Sequence, residues 1–171
     1  MSKILAFAGS NSSTSINHAW LMYIKEHHLS EIDLIKLSDL AIPMYSIDVE
    51  KEFGIPPVIK ELCIQIENAD VLLISASEHN GSYTSYLKST IDWISRSNRE
   101  LLKGKTILIT GTSSGRGGAS GAIELTQRLL ERLGADVKAT LSLPSWEYVF
   151  ENGKLIEEHQ TALKNFLTNL N

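Results

Sequence analysis

The chain has a single cysteine, Cys63, among its 171 residues. An internal disulfide and a cysteine-based zinc cluster are therefore excluded. Long apolar runs are also missing. None approaches the ~18 residues that a membrane-spanning helix needs. The opening segment MSKILAFAGS carries one lysine and a short apolar stretch. It reads as a first strand and not as a signal peptide, so the expected location is cytoplasmic. Nor is there an excess of positive charge. Sixteen Lys and Arg against twenty Asp and Glu leave a formal net charge of −4, the wrong sign for a protein held to nucleic acid through phosphate contacts. Internal repeats and low-complexity tracts do not occur.

What is present describes a globular chain. Hydrophobic residues make up 43% and charged residues 21%, ordinary proportions for a folded domain. A chain of this length fits one domain spanning residues 1–171 and buries roughly 68–70% of its unfolded surface, enough for a core without covalent staples. Three continuous apolar or β-branched runs, Ile4–Ala8, Val71–Ala76 and Thr106–Thr110, read as strands covered on both faces. Two other segments alternate, beginning at Ile32 and at Val137, and read as half-exposed edge strands.

Between the strands lie helical spacings. Ile16, Ala19, Trp20, Tyr23, Ile24 and His27 form one stripe, and Ile59, Leu62, Cys63 and Ile66 a second. Leu87, Ile91 and Ile94 form a third, Leu125, Leu129 and Leu133 a fourth, and Leu163, Phe166, Leu167 and Leu170 a fifth. Strict alternation of strand and helix implies a doubly wound α/β fold with a parallel sheet. Placing the buried strands centrally gives the order 2-1-3-4-5, which is the flavodoxin-like arrangement. Its ligand crevice lies at the carboxyl ends of the first and third strands. The stretch from Ser38 to Pro56 shows no clear element and leaves the second strand on the same edge.

Three loops follow strands one, three and four on that edge. The first, Gly9 to Asn17, holds seven hydroxyl or amide side chains and opens a helix. A helix N-terminus offers free N–H groups and a positive dipole end to phosphate. A helix cap alone would need one such residue. The second loop is Ser77-Glu78-His79-Asn80-Gly81-Ser82-Tyr83, whose glycine permits close backbone approach to a flat ligand. The third, Gly111 to Gly118, is ambiguous. Gly111-Thr112-Ser113-Ser114-Gly115 fits a nucleophile elbow, with Asp136 and His159 following in hydrolase order. It also resembles a dehydrogenase glycine loop, but Asn152 stands where the required lysine would follow Tyr148. A third reading is a flexible lining for a flat ring. Phosphate at the first loop and a flat ring at the others describe a mononucleotide, and a flavin fits best.

These three loops resemble those of the NADPH-dependent FMN reductase family, which includes quinone- and azo-reducing members. Gly9 to Asn17 is similar to its Gly-Ser-x-Arg-x-x-Ser-x-Asn phosphate loop. Glu78-His79-Asn80-Gly81-Ser82 resembles its Pro-Glu-Tyr-Asn-Gly-Ser loop, and Leu87-Lys88 through Asp92-Trp93 its Leu-Lys-Asn-Ala-Ile-Asp-Trp helix. Ser12, Ser77 and His79 depart from the family's arginine, proline and tyrosine.

The resemblance implies FMN as cofactor and NADPH or NADH as electron donor. It places Ser10, Ser12, Ser15, Ile16 and Asn17 at the phosphate. Glu78, His79, Asn80, Gly81, Ser113, Ser114, Gly115 and Gly118 would surround the ring. The implied activity is hydride transfer to FMN and onward reduction of a small acceptor such as a quinone, azo compound or free flavin. No catalytic side chain and no metal are expected, because the cofactor carries the chemistry. The alternatives are a flavin-binding electron carrier without NAD(P)H turnover and a serine hydrolase using Ser113. Tyr86 and Trp93 lie off the core stripe of their helix and suggest the surface of a homodimer or homotetramer. Glu78 and Asp92 read as solvated or loop-shaping carboxylates. His27 and His28 do not share a helix face, so they read as surface or helix-end histidines and not as a metal pair.

Overall fold

The computed structural model describes residues 2–170. The elements run β1 (Ile4–Ala8), α1 (Ile16–His27), β2 (Asp33–Ile35), α2 (Ile47–Phe53), α3 (Pro57–Glu67), β3 (Val71–Ser75), β4 (Glu78–His79), β5 (Ser82–Tyr83), α4 (Ser85–Ser97), β6 (Thr106–Thr112), α5 (Ser120–Arg132), β7 (Asp136–Leu143), β8 (Phe150–Glu151), β9 (Lys154–Leu155) and α6 (Glu157–Leu167). Five strands form one parallel sheet in the order β2-β1-β3-β6-β7. This is the expected 2-1-3-4-5 order of the long strands. The remaining four strands make two small antiparallel hairpins. No helix among the described residues is long and apolar enough to cross a membrane.

Strand alternation divides the core into two layers. Leu5, Phe7, Leu72, Ile74, Ile107 and Ile109 face one cluster, which α3, α4 and α5 cover. Ala6, Ala8, Val71, Leu73 and Leu108 face the other, beneath α1 and α6. The small side chains of Ala6 and Ala8 leave room there for Trp20, which is fully buried. Its indole Nε1 donates to Thr110 Oγ1 at 2.9 Å, and that hydroxyl in turn donates to the Leu141 carbonyl at 2.8 Å. A buried indole N–H needs such a partner.

The leucine stripe expected on α5 is only the margin of its packed face. Leu125 is 36% exposed, whereas Ala122, Ile123, Thr126 and Leu130 are buried. The reason is the close approach of this helix to β6. A Cβ added at Gly111 would come within 3.1 Å of Ala119 Cβ and 3.3 Å of Ile123 Cδ1, so small and thin side chains define the contact.

The stretch from Ser38 to Pro56 is more ordered than its sequence suggests. A short 3₁₀ turn covers Leu37–Asp39, and α2 follows. α4 pins this connection with a polar and aromatic stripe at 3-4-3 spacing. The Tyr86 hydroxyl lies 2.8 and 2.7 Å from the Leu37 and Leu40 carbonyls. Ser89 Oγ accepts from the Tyr45 N–H, and the Trp93 Nε1 donates to the Pro43 carbonyl at 2.9 Å. Tyr45 packs edge-on against the Trp93 ring. Arg96 Nε donates to Glu50 on α2. Trp93 is 0% exposed. The reading of Tyr86 and Trp93 as a partner surface is therefore overturned: an irregular segment of the same chain already occupies that face.

The Arg96 hydrogen bond, assisted by the Tyr45 hydroxyl, holds the Glu50 carboxyl below the usual carboxylate range. Stabilisation from a lowered carboxyl is present at neutral pH and fades as acid protonates the folded form. Hydrogen exchange of the α2 amides, corrected for intrinsic pH effects, should accelerate as pH drops below about 4. Glu50→Gln should show the fast exchange at neutral pH with no further acid step. Equal exchange in both proteins across that range would show that the ion pair does not hold α2.

Candidate active site

Three loops meet at the carboxyl edge of the sheet, and Asn17 joins two of them from below. It is 4% exposed. Its Oδ1 accepts from Ser75 Oγ at 2.8 Å and from the Thr112 N–H at 2.9 Å, and its Nδ2 donates to the Thr112 carbonyl at 3.0 Å. One amide side chain thus ties the first turn of α1 to the ends of β3 and β6. The side chain is committed to positioning. What Asn17 presents toward the crevice is its backbone N–H, one of the first-turn donors that no helical carbonyl can satisfy.

The loop before α1 is rich in polar side chains that keep donors to spare. Ser15 is the N-cap, its Oγ accepting from the His18 N–H at 3.2 Å. Ser10 Oγ accepts from the Ser12 N–H, and Ser12 Oγ accepts from the Thr14 N–H. A hydroxyl that accepts can still donate its own proton, so Ser10 and Ser15 remain donors. Ser12, Ser13 and Thr14 are exposed, Ser10, Ser15 and Ile16 half-buried. There is no acidic residue in the first turn of α1. The dipole end of α1 is therefore uncompensated by protein charge.

The N-terminus of α5 differs. Its N-cap, Ala119, sits at φ 62° and has no capping side chain. Glu78 supplies the cap from the second loop, its Oε2 accepting from the Ala122 N–H at 3.0 Å. Of these two helix starts at one edge, α5 already holds an anion and α1 does not. Glu78 is thus a loop-shaping carboxylate, as expected.

Residues 79–82 form a two-residue hairpin turn. Asn80 at φ 53° and Gly81 at φ 75° have the paired positive φ angles of a type I′ turn, for which Asn-Gly is the preferred pair. His79, Asn80 and Gly81 are exposed. The hairpin also docks on α5, where a Cβ at Gly121 would fall 2.6 Å from the Gly81 carbonyl oxygen. Thr84 closes the loop. Its Oγ1 donates to the Gly9 carbonyl at 2.6 Å and accepts from the Leu87 N–H, capping α4. Thr84 was absent from the expected site, although a Thr before a helical stripe is a readable cap signal.

The third loop is stitched to the chain after β7. Ser145 N–H donates to the Gly115 carbonyl and Trp146 N–H to the Ser113 carbonyl. Gly118 is required by the fold: it sits at φ 56°, and a Cβ would lie 2.8 Å from Pro144 N. By contrast, a Cβ at Gly115 or Gly117 would meet nothing within 4 Å. Those two glycines leave open space beside Ser114, which is exposed.

The hydrolase alternative fails on geometry. Ser113 follows β6 at the carboxyl edge, whereas Asp136 begins β7 at the opposite edge, paired with Thr106. The seven residues of β6 separate them by about 20 Å at ~3.3 Å per residue. Ser113 Oγ donates to the Gly115 carbonyl, and His159 lies on α6. No triad forms.

Replacing Asn17 by Ala would strand three buried partners on Ser75 and Thr112. We expect a loss on the order of 3 kcal/mol, from ~1–3 kcal/mol per unsatisfied buried group, read as a lower urea midpoint. A loss below about 1 kcal/mol would remove Asn17 from its joining role.

Comparison with known proteins agrees with this geometry. A family model described as NADPH-dependent FMN reductase matches residues 2–147. An NAD(P)H-dependent FMN reductase of Pseudomonas aeruginosa is 37% identical over 127 residues, covering 70% of this chain and 64% of that protein. A quinone reductase of Escherichia coli is 41% identical over 90 residues, covering 52% of this chain and 48% of that protein. The chain thus aligns with half to two thirds of the length of these relatives. Among solved structures, the flavoenzyme NAD(P)H:(acceptor) oxidoreductase FerB from Paracoccus denitrificans superposes with a TM-score of 0.81 at 23% identity, covering 99% of this chain and 95% of that one. That likeness shows the flavodoxin-like fold. The match across most of its length places this chain in the NADPH-dependent FMN reductase family.

Proposed function

We propose that the protein is an FMN-dependent NAD(P)H oxidoreductase, built as one flavodoxin-like domain, that reduces a small acceptor such as a quinone, azo compound or free flavin. The observation that carries this is the contrast between two helix starts. The α1 N-terminus is uncharged and surrounded by hydroxyls, while Glu78 neutralises that of α5. A phosphate monoester belongs at the first. Ser10, Ser12 and Ser15 hydroxyls and the Ile16 and Asn17 amides hold it there. His79, Asn80, Gly81, Ser114, Gly115 and Gly118 line the ring, with Ser113 and Glu78 shaping their loops.

FMN when bound supplies the redox chemistry, accepting hydride from nicotinamide and passing electrons onward. The chain's own contribution is to grip the phosphate, present open backbone at Gly81 and Gly115, and keep the third loop fixed through Ser145 and Trp146. With serine at position 12, the phosphate has no guanidinium partner there. It is held by dipoles, which salt screens less than exposed ion pairs.

The relatives named as reductases favour turnover over an electron-carrier role. A cytoplasmic location fits the need for NAD(P)H. Assembly as a homodimer or homotetramer would have to use side chains other than Tyr86 and Trp93. Met44, Ile47 and Phe53, exposed at and beside α2, are apolar groups available for it.

Titration of the apoprotein should show FMN binding tighter than riboflavin by at least tenfold, about 1.4 kcal/mol, with little salt dependence. The loaded protein should oxidise NADPH or NADH steadily with a quinone. Equal affinity for the two flavins would remove the phosphate assignment, and absence of NAD(P)H oxidation would leave only the carrier role.

A further inference from the structure

The third loop carries a cation that the fold does not use. Arg116 is exposed, and among the described residues its guanidinium pairs with no carboxylate. Other cations beside the crevice loops are committed. Lys36 pairs with Asp39 at 3.6 Å and Lys88 with Asp92 at 2.6 Å. The carboxylates around α5 are committed too, Glu78 to the Ala122 N–H and Glu124 to Arg128. From Gly111 to Ile123 the chain holds no acidic residue.

The backbone around Arg116 is polarised in the same sense. The Ser113 and Gly115 carbonyls accept from the Trp146 and Ser145 N–H groups at 3.0 and 2.9 Å. The Gly117 carbonyl accepts from the Ser120 N–H at 3.0 Å, and the Gly118 carbonyl from Ser142 Oγ at 2.8 Å. In contrast, the N–H groups of Ser114, Gly115, Arg116 and Gly117 donate to no protein acceptor among the described residues. The loop thus commits its acceptors to the protein and keeps its donors free. Consecutive free N–H groups beside a guanidinium make an anion receptor. A Cβ at Gly115 or Gly117 would meet nothing within 4 Å, so an oxyanion can approach the main chain on either side of Arg116.

The flavin reading leaves this charge unassigned. The FMN phosphate belongs to α1, and the oxidised flavin ring is neutral. The other ligand of that reading is the pyridine nucleotide, of which only NADPH carries a dianionic monoester on its adenosine 2′ oxygen. A guanidinium fork meets such a monoester with two parallel N–H···O bonds. We propose that Arg116, with the N–H groups beside it, binds the 2′-phosphate of NADPH and makes the protein selective for NADPH over NADH. This rests on the NAD(P)H oxidoreductase reading above. Arg116 is a specificity-determining residue and takes no part in holding FMN.

Two measurements on wild type, Arg116→Ala and Arg116→Lys test this. Calorimetric titration with adenosine 2′,5′-bisphosphate and with 5′-AMP reads binding alone. Steady-state kcat/KM of the FMN-loaded proteins with NADPH and with NADH reads its use. Wild type should bind the bisphosphate about ten- to hundredfold more tightly than 5′-AMP and prefer NADPH by a similar factor. Added salt should erode that preference. Arg116→Ala should abolish both preferences with FMN affinity and thermal midpoint unchanged. Arg116→Lys, which keeps the charge and loses the fork, should fall between. Equal binding of the two adenosine nucleotides by wild type, or a preference that survives in Arg116→Ala, would overturn the proposal. So would an equal loss for NADPH and NADH in Arg116→Ala, which would put the guanidinium at the pyrophosphate that both share. The nucleotide titration needs no flavin. A protein that takes up no FMN yet keeps the bisphosphate preference would refute the flavin reading and leave the 2′-phosphate subsite standing.

Discussion

The active edge of this protein depends on one buried amide. Asn17 opens α1, yet its side-chain bonds run to Ser75 at the end of β3 and to Thr112 at the end of β6. Through these bonds the N-terminus of α1 is fixed relative to two strands from elsewhere in the chain. Thr84 completes the frame by joining the Gly9 carbonyl to the start of α4. The polar loop between Gly9 and Ser15 is therefore suspended between two rigid ends. That is what a phosphate site made of hydroxyls and backbone amides needs, because small displacements would scatter its donors.

Electrostatics then divides labour between helices. Glu78 reaches across 44 positions of sequence to cap α5 at Ala122. The same carboxylate fixes the hairpin that carries Asn80 and Gly81. The start of α1 has no such counter-charge, which leaves it as the place for an incoming anion. On the proposed reading, specificity for phosphate comes from the orientation of neutral donors.

The framework was legible wherever a residue's surroundings repeat along the chain. β1, β3 and β6 appear as continuous apolar runs because both faces of each are covered, and the edges β2 and β7 alternate because one face is not. α2 was invisible because none of its residues is buried. Val49 alone of its apolar side chains packs against the core, and the polar contacts of Tyr45, Glu50 and Arg96 hold the rest, so no hydrophobic period results. Tyr86 and Trp93 misled for a related reason. Their partners are the carbonyls of Leu37, Leu40 and Pro43, and a carbonyl has no residue signature. At the site, sequence located the loops but not the division of roles within them. The partners of Asn17 stand 58 and 95 positions away, so its use as a brace emerges only from the fold.

The central claim is that the free N-terminus of α1 is the phosphate site. The most direct check is to follow backbone amide resonances of the labelled apoprotein while inorganic phosphate, and then FMN, is added. The account predicts that both ligands move the Ser12–Asn17 amides, that FMN additionally moves those of Gly81 and Gly115, and that Ala122, held by Glu78, responds to neither through direct binding. Phosphate shifts centred on Ala122 and the start of α5, with Ile16 and Asn17 unmoved, would contradict it.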